Sequence, residues 1–218
     1  MMEGMLEGVM EEEKAEPSLR ERKKQAMRQR ISDVATGLFV ERGFDEVTVA
    51  EIARAADVSA MTVFNYFPRK EDLFLDRIPQ AVEMFTQAVG ERAPAESPLA
   101  ALRALAFQLL DQGHPLGGLH DDFPSFWRIV VDSPALRARA REGVEGLEEA
   151  LARTLGETAP DLPDPHLAAV MTVAAYRSVY VTTARRMLAG ERVAAVMDEH
   201  RARLTAAFDV LEGVFGTG

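Results

Sequence analysis

Cysteine is absent from the 218-residue sequence, and tryptophan occurs only once. Without thiols the chain cannot form a disulfide bond, use a cysteine nucleophile or hold zinc through cysteine ligands. The sequence also lacks any run of about eighteen apolar residues, so we expect no membrane-spanning helix. Residues 1–17 are acidic, unlike the basic start of a secretory signal. These absences predict a cytoplasmic protein that does not contact a membrane.

Basic residues are outnumbered overall, which gives a net charge of −10, but their distribution is uneven. Residues 1–17 carry a net charge of −5 and residues 78–218 carry −6, whereas residues 18–77 carry +1. Within that middle block, residues 19–30 hold six basic residues against one acidic residue. A basic patch on an acidic protein attracts phosphate in one orientation. The alternative interpretation is a solvated helix face without a binding role.

Apolar residues make up 47% of the chain, enough for a sizeable core, and they recur at helical spacing. We find no convincing strand and therefore predict an all-α fold. The longer periodic segments predict helices over residues 19–42, 70–92, 99–110, 125–131, 134–156, 166–189 and 191–214. Pro79 is expected to kink the helix over residues 70–92, because proline removes one backbone hydrogen bond.

Residues 47–73 contain two shorter helical patterns separated by a break. Thr48 and Glu51 have the spacing of a capping box, which predicts the start of the first short helix. Ser59 is a candidate N-cap for the second, and Pro68 ends it because the residue before a proline is pushed out of the α region. Two short helices joined by a tight turn are typical of a helix-turn-helix.

This segment resembles the DNA-binding signature of the tetracycline-repressor (TetR) family of bacterial transcriptional regulators. The matching residues are Thr48, Val49, Ile52, Ala53, Ala56, Val58, Ser59, Thr62, Phe64, Tyr66, Phe67, Lys70, Glu71, Leu73 and Phe74. The resemblance implies an N-terminal three-helix helix-turn-helix DNA-binding domain, here residues 18–68. It also implies a C-terminal helical ligand-binding and dimerisation domain, here residues 69–218. Residues 1–17 have the composition of a disordered acidic tail.

The resemblance further implies a homodimer on a palindromic double-stranded DNA operator, released by a small-molecule effector. The residues predicted to contact bases or nearby phosphates are Ala60, Met61, Thr62 and Asn65, and those predicted to contact the DNA backbone are Phe64 and Tyr66. Thr48 and Lys70 lie at helix starts that are expected to bind phosphate. The predicted set also includes Ser59, the cap of the recognition helix, and Arg28 and Arg30 in the basic segment.

Side-chain chemistry supports part of this set independently. Asn65 has the two hydrogen-bonding groups that recognise adenine, and Thr62 and Met61 have methyl groups that suit a thymine methyl. Phe64 departs from the hydroxyl-bearing aromatic residue often found at its position in the family, so it cannot donate to phosphate. We therefore expect few polar base contacts and a sequence preference that depends on methyl contacts and DNA shape.

Aromatic residues beyond residue 100 suggest where an effector binds. The candidate lining residues are Phe107, Leu110, Phe123, Phe126, Trp127, Met171, Tyr176, Arg177 and Tyr180. Tyr176, Arg177 and Tyr180 would combine two phenols and a cation, which suits an aromatic or acidic ligand. The alternative is a core stripe in which Arg177 pairs with a carboxylate, since aromatic residues at helical spacing usually belong to a core.

The last two predicted helices are candidates for the dimer interface. Apolar residues in the final helix recur at nearly 3.5-residue spacing: Val193, Met197, His200, Leu204, Phe208, Leu211 and Phe215. Such a stripe suits a four-helix bundle across a two-fold axis, although it also suits packing within one subunit. We interpret His166 and His200 as cap and interface residues.

A metal-binding protein and an enzyme are the other two classes of function to which the sequence could belong. His114, His120, Asp121 and Asp122 are suitable metal ligands, but their spacing matches no known motif, and we expect no metal and no cofactor. An all-helical enzyme is disfavoured because no nucleophile, base and orienting residue form a recognisable constellation. Two alternatives remain: a DNA-binding protein whose body is solidly packed and binds no ligand, and a regulator that activates transcription instead of repressing it.

Overall fold

The computed structural model describes residues 18–120 and 123–215, and every regular element in those ranges is helical. The predicted acidic tail, residues 1–17, lies outside the described residues. The α-helices are α1 Leu19–Arg42, α2 Val49–Ala55, α3 Ala60–Tyr66, α4 Glu71–Phe74, α5 Ile78–Gly90, α6 Pro98–Asp111, α7 Phe123–Asp132, α8 Pro134–Thr158, α9 Pro165–Leu188 and α10 Val193–Phe215. One 3-10 turn, Pro115–Gly117, lies between α6 and α7. The predicted all-α class is confirmed.

Local capping fixes the ends of the first three helices. Ser18 and Glu21 form a reciprocal capping box at the start of α1, and Thr48 and Glu51 form another at the start of α2. Gly43 ends α1 with a φ of 89°, a backbone conformation that side chains with a Cβ rarely adopt. These short-range signals explain why the sequence predicts this part of the chain well.

The predicted helix over residues 70–92 is wrong, because the structure divides it into α4 and α5. Pro79 lies in the first turn of α5. A proline there loses nothing, since the first backbone N–H groups of a helix have no intrahelical acceptor. Pro79 therefore starts a new helix instead of kinking an existing one.

The N-terminal helices enclose a core of their own around Phe39, which is completely buried. Leu73 and Phe74 belong to this core although they follow the predicted domain boundary at residue 68. Val130 of α7 and Leu136 of α8 are buried against the same cluster. We call helices α1–α4 the head and helices α5–α10 the body, and the two share this apolar contact.

The body core is formed by buried residues of all six helices α5–α10. The stripe predicted for a dimer interface lies partly in this core, since His200, Leu204, Phe208 and Leu211 are all buried within the subunit. These four residues therefore follow the alternative interpretation, in which the stripe packs on α9 of the same subunit and not on a second copy. The opposite side of α10 is exposed instead, including Val210 and Val214.

His200 is a core residue and not an interface residue. It is 3% exposed, and its Nδ1 lies 2.8 Å from the hydroxyl oxygen of Thr183 on α9. Burial lowers the pKa of His200 to about 4, and the neighbouring charge of Arg201 acts in the same direction. The predicted cap at His166 is also corrected, because Asp164 caps α9.

We predict that the free energy of unfolding decreases as the pH falls from about 6.5 to 4. In the unfolded chain His200 takes up a proton near its ordinary pKa of about 6.5, whereas in the folded protein it stays neutral until about pH 4. The unfolded state therefore binds more protons in this window, which removes up to about 3 kcal/mol of stability. Urea unfolding at several pH values measures the effect.

The control for this experiment is the double variant Thr183→Val with His200→Leu, which removes both hydrogen-bonding partners together. Its pH dependence between 6.5 and 4 should be shallower than that of the wild type, whereas His166→Leu, at an exposed position, should leave it unchanged. An equally steep loss of stability in the double variant would contradict the assignment to His200.

Candidate functional site

Helix α3 presents one face to solvent at its N-terminal end. Ser59 accepts a hydrogen bond from the backbone N–H of Thr62 at 3.0 Å, which confirms it as the N-cap. Val63 is buried in the head core, so the opposite face points outwards. On that face Met61 is 69% exposed and Phe64 46% exposed, and Asn65 is also exposed. Large apolar side chains exposed at the start of a short helix suit an apolar partner surface.

Thr48 and Thr62, two of the predicted DNA contacts, have hydroxyls that already interact with other side chains of the head. The Thr48 hydroxyl donates to Glu51 at 2.8 Å within the capping box, and the Thr62 hydroxyl lies 2.8 Å from that of Ser59. The hydrogen bond from the Thr48 backbone N–H is the main reason why the pKa of Glu51 falls to about 2. Both hydroxyls thus organise the helix starts, and each keeps further acceptor capacity for a partner.

Arg28 and Arg30 have intramolecular partners in this structure, and their contact with DNA stays a prediction. Arg28 donates to the backbone carbonyl of Tyr66 at 2.8 Å, and its guanidinium lies 4.2 Å from the centre of the Phe67 ring. Arg30 donates to the carbonyl of Ala56 in the turn between α2 and α3. These two cations hold the C-terminal end of α3 and the preceding turn against α1.

Lys70 is half-buried against the head, and its role at a phosphate stays a prediction. Its Nζ donates to the carbonyl of Phe44 at 2.5 Å and lies 4.3 Å from the centre of that ring. Burial lowers the pKa of Lys70, against the opposing effect of nearby carboxylates such as Asp45. Lys70 therefore joins the start of α4 to the end of α1.

The cations that remain available lie elsewhere on the head. Arg20, Arg22 and Lys23 are exposed on the first turns of α1, and within the described ranges their side chains make no hydrogen bond or ion pair. Arg54 on α2 is likewise exposed and unpaired in that part of the chain. Sequence reasoning missed Arg54, although its position next to the buried Ile52–Ala53 pair predicts an outward side chain.

The predicted effector residues divide into a packed aromatic cluster and residues apart from it. In the cluster, the rings of Phe123 and Tyr180 lie 5.0 Å apart and those of Trp127 and Tyr180 lie 5.6 Å apart. Tyr176 donates to the carbonyl of Leu116 at 2.7 Å. Burial raises the pKa of both tyrosines, so they stay neutral hydrogen-bond donors.

The other candidates have different surroundings. Phe126 adjoins the cluster through Phe123 and Trp127, and it also stacks on Phe74 of the head with the ring centres 4.8 Å apart. Phe107 lies beneath the guanidinium of Arg201. Leu110 is buried in the body core, and Met171 is partly buried against it. Arg177 is exposed, which corrects its predicted place beside the tyrosines as a ligand-binding cation.

Two open cavities of the described part of the chain lie away from this cluster. One of about 250 Å³ lies between head and body, lined by Phe44, Asp45 and Ile129 among others. The other, of about 370 Å³, lies between α5 and α6 beside Met84 and Arg92. None of the nine predicted effector residues lines either cavity. The rings of the aromatic cluster pack directly against one another.

The remaining predictions concern metals and membranes. Among the described residues no group of three His, Asp or Glu side chains could hold a metal ion. Asp121 and Asp122 lie outside those residues, and His114 uses its Nδ1 to accept from the N–H of Leu116. In the same part of the chain, no helix is both long and apolar enough to cross a membrane.

Comparison with known proteins agrees with this geometry. Residues 31–76 match the family model described as bacterial regulatory proteins, tetR family. The chain is 33% identical over 146 residues to the HTH-type transcriptional regulator TcmR of Streptomyces glaucescens, covering 64% of this chain and 63% of the relative. It is 33% identical over 90 residues to the fatty acid metabolism regulator protein of Bacillus subtilis, covering 39% and 46%. Both matches span less than two thirds of the relative's length.

Similar solved structures cover more of the chain at lower identity. A TetR-family regulator from Mesorhizobium loti superposes with a TM-score of 0.59 at 21% identity, covering 89% of this chain and 99% of that one. The SmeT–triclosan complex superposes with a TM-score of 0.57 at 20% identity, covering 88% and 92%. At these identities the likeness establishes the fold alone.

We predict that Lys70→Met destabilises the head by about 1–2 kcal/mol, because the carbonyl of Phe44 loses a charged donor and two rings lose a cation. Lys23→Met is the matched control at an exposed, unpaired position and should change the free energy of unfolding by less than about 0.5 kcal/mol. Urea unfolding followed by circular dichroism compares the two. Equal stability of Lys70→Met and the wild type would show that the contact is not stabilising.

Proposed function

We propose that the protein is a sequence-specific DNA-binding transcriptional regulator of the TetR family, because residues 31–76 match the model of that family. In this proposal it is a cytoplasmic repressor without enzymatic activity, and it binds a palindromic operator as a homodimer. A small molecule bound in the body releases it. The observation that carries the proposal is the outward face of α3, where Ala60, Met61, Phe64 and Asn65 are exposed together.

This face has the shape and chemistry of a major-groove reader. Ala60 at the start of α3 is small, so the helix can approach the base edges closely. Met61 and Phe64 suit the thymine methyl groups, and Asn65 suits the hydrogen-bonding edge of adenine. Since the rest of the face is apolar, sequence preference depends on methyl contacts and on DNA shape as well as on Asn65.

Electrostatic attraction comes from the start of α1 and not from the recognition helix. Arg20, Arg22 and Lys23 are exposed and unpaired among the described residues, so each is available to a phosphate. Arg28, Arg30 and Lys70 contribute by fixing the helices. Their indirect role keeps the α3 face in one orientation relative to the phosphate-binding segment.

A second copy of the chain would bind to the exposed side of α9 and α10. Leu167 on α9 and Val210 and Val214 on α10 are large apolar residues that are between 45% and 62% exposed. Ala202 and Ala206 are exposed on the same side of α10 as Val210. Small residues allow two helices to approach closely, and a dimer formed there would present two α3 helices to half-sites about 34 Å apart or a multiple of that distance.

The direct test is selection of the operator from random double-stranded DNA, followed by titration of the selected sequence and a scrambled one in fluorescence anisotropy. The selected DNA should bind far more tightly and should contain two inverted half-sites. A protein that selects no sequence, and binds both DNAs with equal affinity, would not be a sequence-specific regulator.

We predict that Asn65→Ala and Lys23→Ala weaken binding in different ways. Asn65→Ala should cost about 1–3 kcal/mol at one base pair of each half-site and relax the preference there. Lys23→Ala should weaken binding to all sequences and reduce the slope of log affinity against log salt by about one per half-site. A loss of base preference in Lys23→Ala, or a reduced salt slope in Asn65→Ala, would reverse the two roles.

We predict that Val210→Asp converts the dimer to a monomer, weakening self-association about a hundredfold or more, because a carboxylate would be buried without a partner. Val40→Asp is the matched control, since Val40 is a similarly exposed apolar residue on the head. Sedimentation equilibrium measures both. If both variants dimerise like the wild type, the interface lies elsewhere.

A further inference from the structure

The 3-10 turn between α6 and α7 lies directly on the tyrosines of α9. Gly118, which follows the turn, has a φ of 81°, and a Cβ on it would lie 2.5 Å from a carbon of the Tyr180 ring. A Cβ on Gly117 would lie 2.7 Å from the carbonyl oxygen of Leu109 on α6. Only glycines allow the backbone to fit between α6 and α9 at this distance.

The turn also accepts a hydrogen bond from a side chain of the body core. The Tyr176 hydroxyl donates to the carbonyl of Leu116, and the Leu116 side chain packs against the apolar cluster of the body. Leu116 thus presents an apolar group and one carbonyl acceptor to the aromatic residues. Those two features are the ones that a small ligand needs in an apolar pocket with few polar groups.

A second donor beside the tyrosines is poorly paired. The indole N–H of Trp127 is buried and, within the described residues, makes no hydrogen bond of good geometry. The acceptor that it approaches is the Tyr180 hydroxyl, whose pKa it lowers against the larger, opposite effect of burial. Buried donors are almost always well paired in folded proteins, so this donor would gain from a better-placed acceptor.

The cluster favours a neutral ligand over an ionised one. Its walls are aromatic, with Phe85 packed edge-on against Tyr176 and Phe123 edge-on against Tyr180. The tyrosines are neutral, and Arg177 is exposed. A carboxylate buried among these groups would lose its hydration without gaining a counter-charge, which is costly.

We propose that Trp127, Tyr176 and Tyr180 form a closed ligand site that takes a neutral, apolar molecule with a carbonyl-type acceptor, and that the turn at Leu116–Gly118 fills this site in the absence of the ligand. This inference rests on the proposed function, whose effector it assigns to a chemical class. The ligand replaces the carbonyl of Leu116 on Tyr176 and supplies a better-placed acceptor to Trp127.

The test uses three small probes of similar size on the full-length protein. Methyl benzoate is neutral and has an acceptor, propylbenzene is neutral without one, and benzoate is an anion. Trp127 is the only tryptophan in the sequence, so its emission reports on this site alone. Methyl benzoate should change the emission and bind more tightly in calorimetry than propylbenzene, and benzoate should bind most weakly.

Two substitutions with opposite expected effects make the test specific. Trp127→Phe keeps an aromatic ring but removes the N–H, and should weaken methyl benzoate binding in calorimetry by about tenfold. Gly118→Ala should push the turn off Tyr180 and tighten binding several-fold. Gly113→Ala is the matched control: Gly113 also has a positive φ, but a Cβ on it meets nothing within 4 Å. The affinity of Gly113→Ala for methyl benzoate should equal that of the wild type.

The inference is overturned if methyl benzoate binds neither the wild type nor Gly118→Ala, if benzoate binds as tightly as the ester, or if Trp127→Phe binds the ester with unchanged affinity. DNA anisotropy on the same samples separates this result from the proposed function. Ester binding without operator binding would remove the function and leave the site, whereas operator binding without ester binding would remove the site alone.

Discussion

The stack of Phe74 on Phe126 is the contact on which the arrangement of the whole chain depends. Phe74 closes the core of the head, where it meets Phe39 edge-on with the ring centres 5.8 Å apart. Its other neighbour, Phe126, belongs to α7 of the body and lies nearly parallel to it at 4.8 Å. Phe126 thus packs against the head core and its neighbour Trp127 against both cores, so α7 cannot shift without changing the packing of the head.

Polar contacts around this stack determine the direction in which the head points. Arg139 on α8 pairs with Asp72 on α4 at 2.7 Å, and both side chains are mostly buried. The Ser133 hydroxyl lies 3.3 Å from the carboxylate of Asp45 at the end of the head's first helix. Such contacts supply little stability compared with the aromatic packing, but they are directional and so favour one orientation.

In the proposed regulator, this joint places the effector site beside the head. Trp127, the poorly paired donor, is adjacent in sequence to Phe126, and their rings meet edge-on at 6.1 Å. A ligand that replaces the Leu116 turn changes the packing of α7 one residue away from the contact with Phe74. A ligand shifts the equilibrium only by its preference for one state. In the proposed regulator, that preference would come from an acceptor better placed for the Trp127 N–H than the Tyr180 hydroxyl is.

The sequence predicts the parts of this protein that short-range rules decide. Ser59 is a correct N-cap because its hydroxyl acts on a backbone N–H three residues away. The roles of Arg28 and Lys70 were not predictable, because their carbonyl partners lie 38 and 26 residues away and charge alone does not show which way a side chain points. The stripe of His200 and Leu204 was ambiguous for a related reason: helical spacing identifies a buried face but not which helix covers it.

In the proposed regulator, the intramolecular contacts of the head's cations explain how a mostly apolar helix would read DNA. Methyl contacts and shape recognition depend on distance and direction more than on strong hydrogen bonds, so the reading helix must be held rigidly. Helix α3 has only seven residues, too few to be stable alone. Arg28 fixes its last carbonyl and covers Phe67, while Arg30 fixes the turn before it. In the proposed regulator, the exposed cations at the start of α1 would then provide the direct contacts with phosphate.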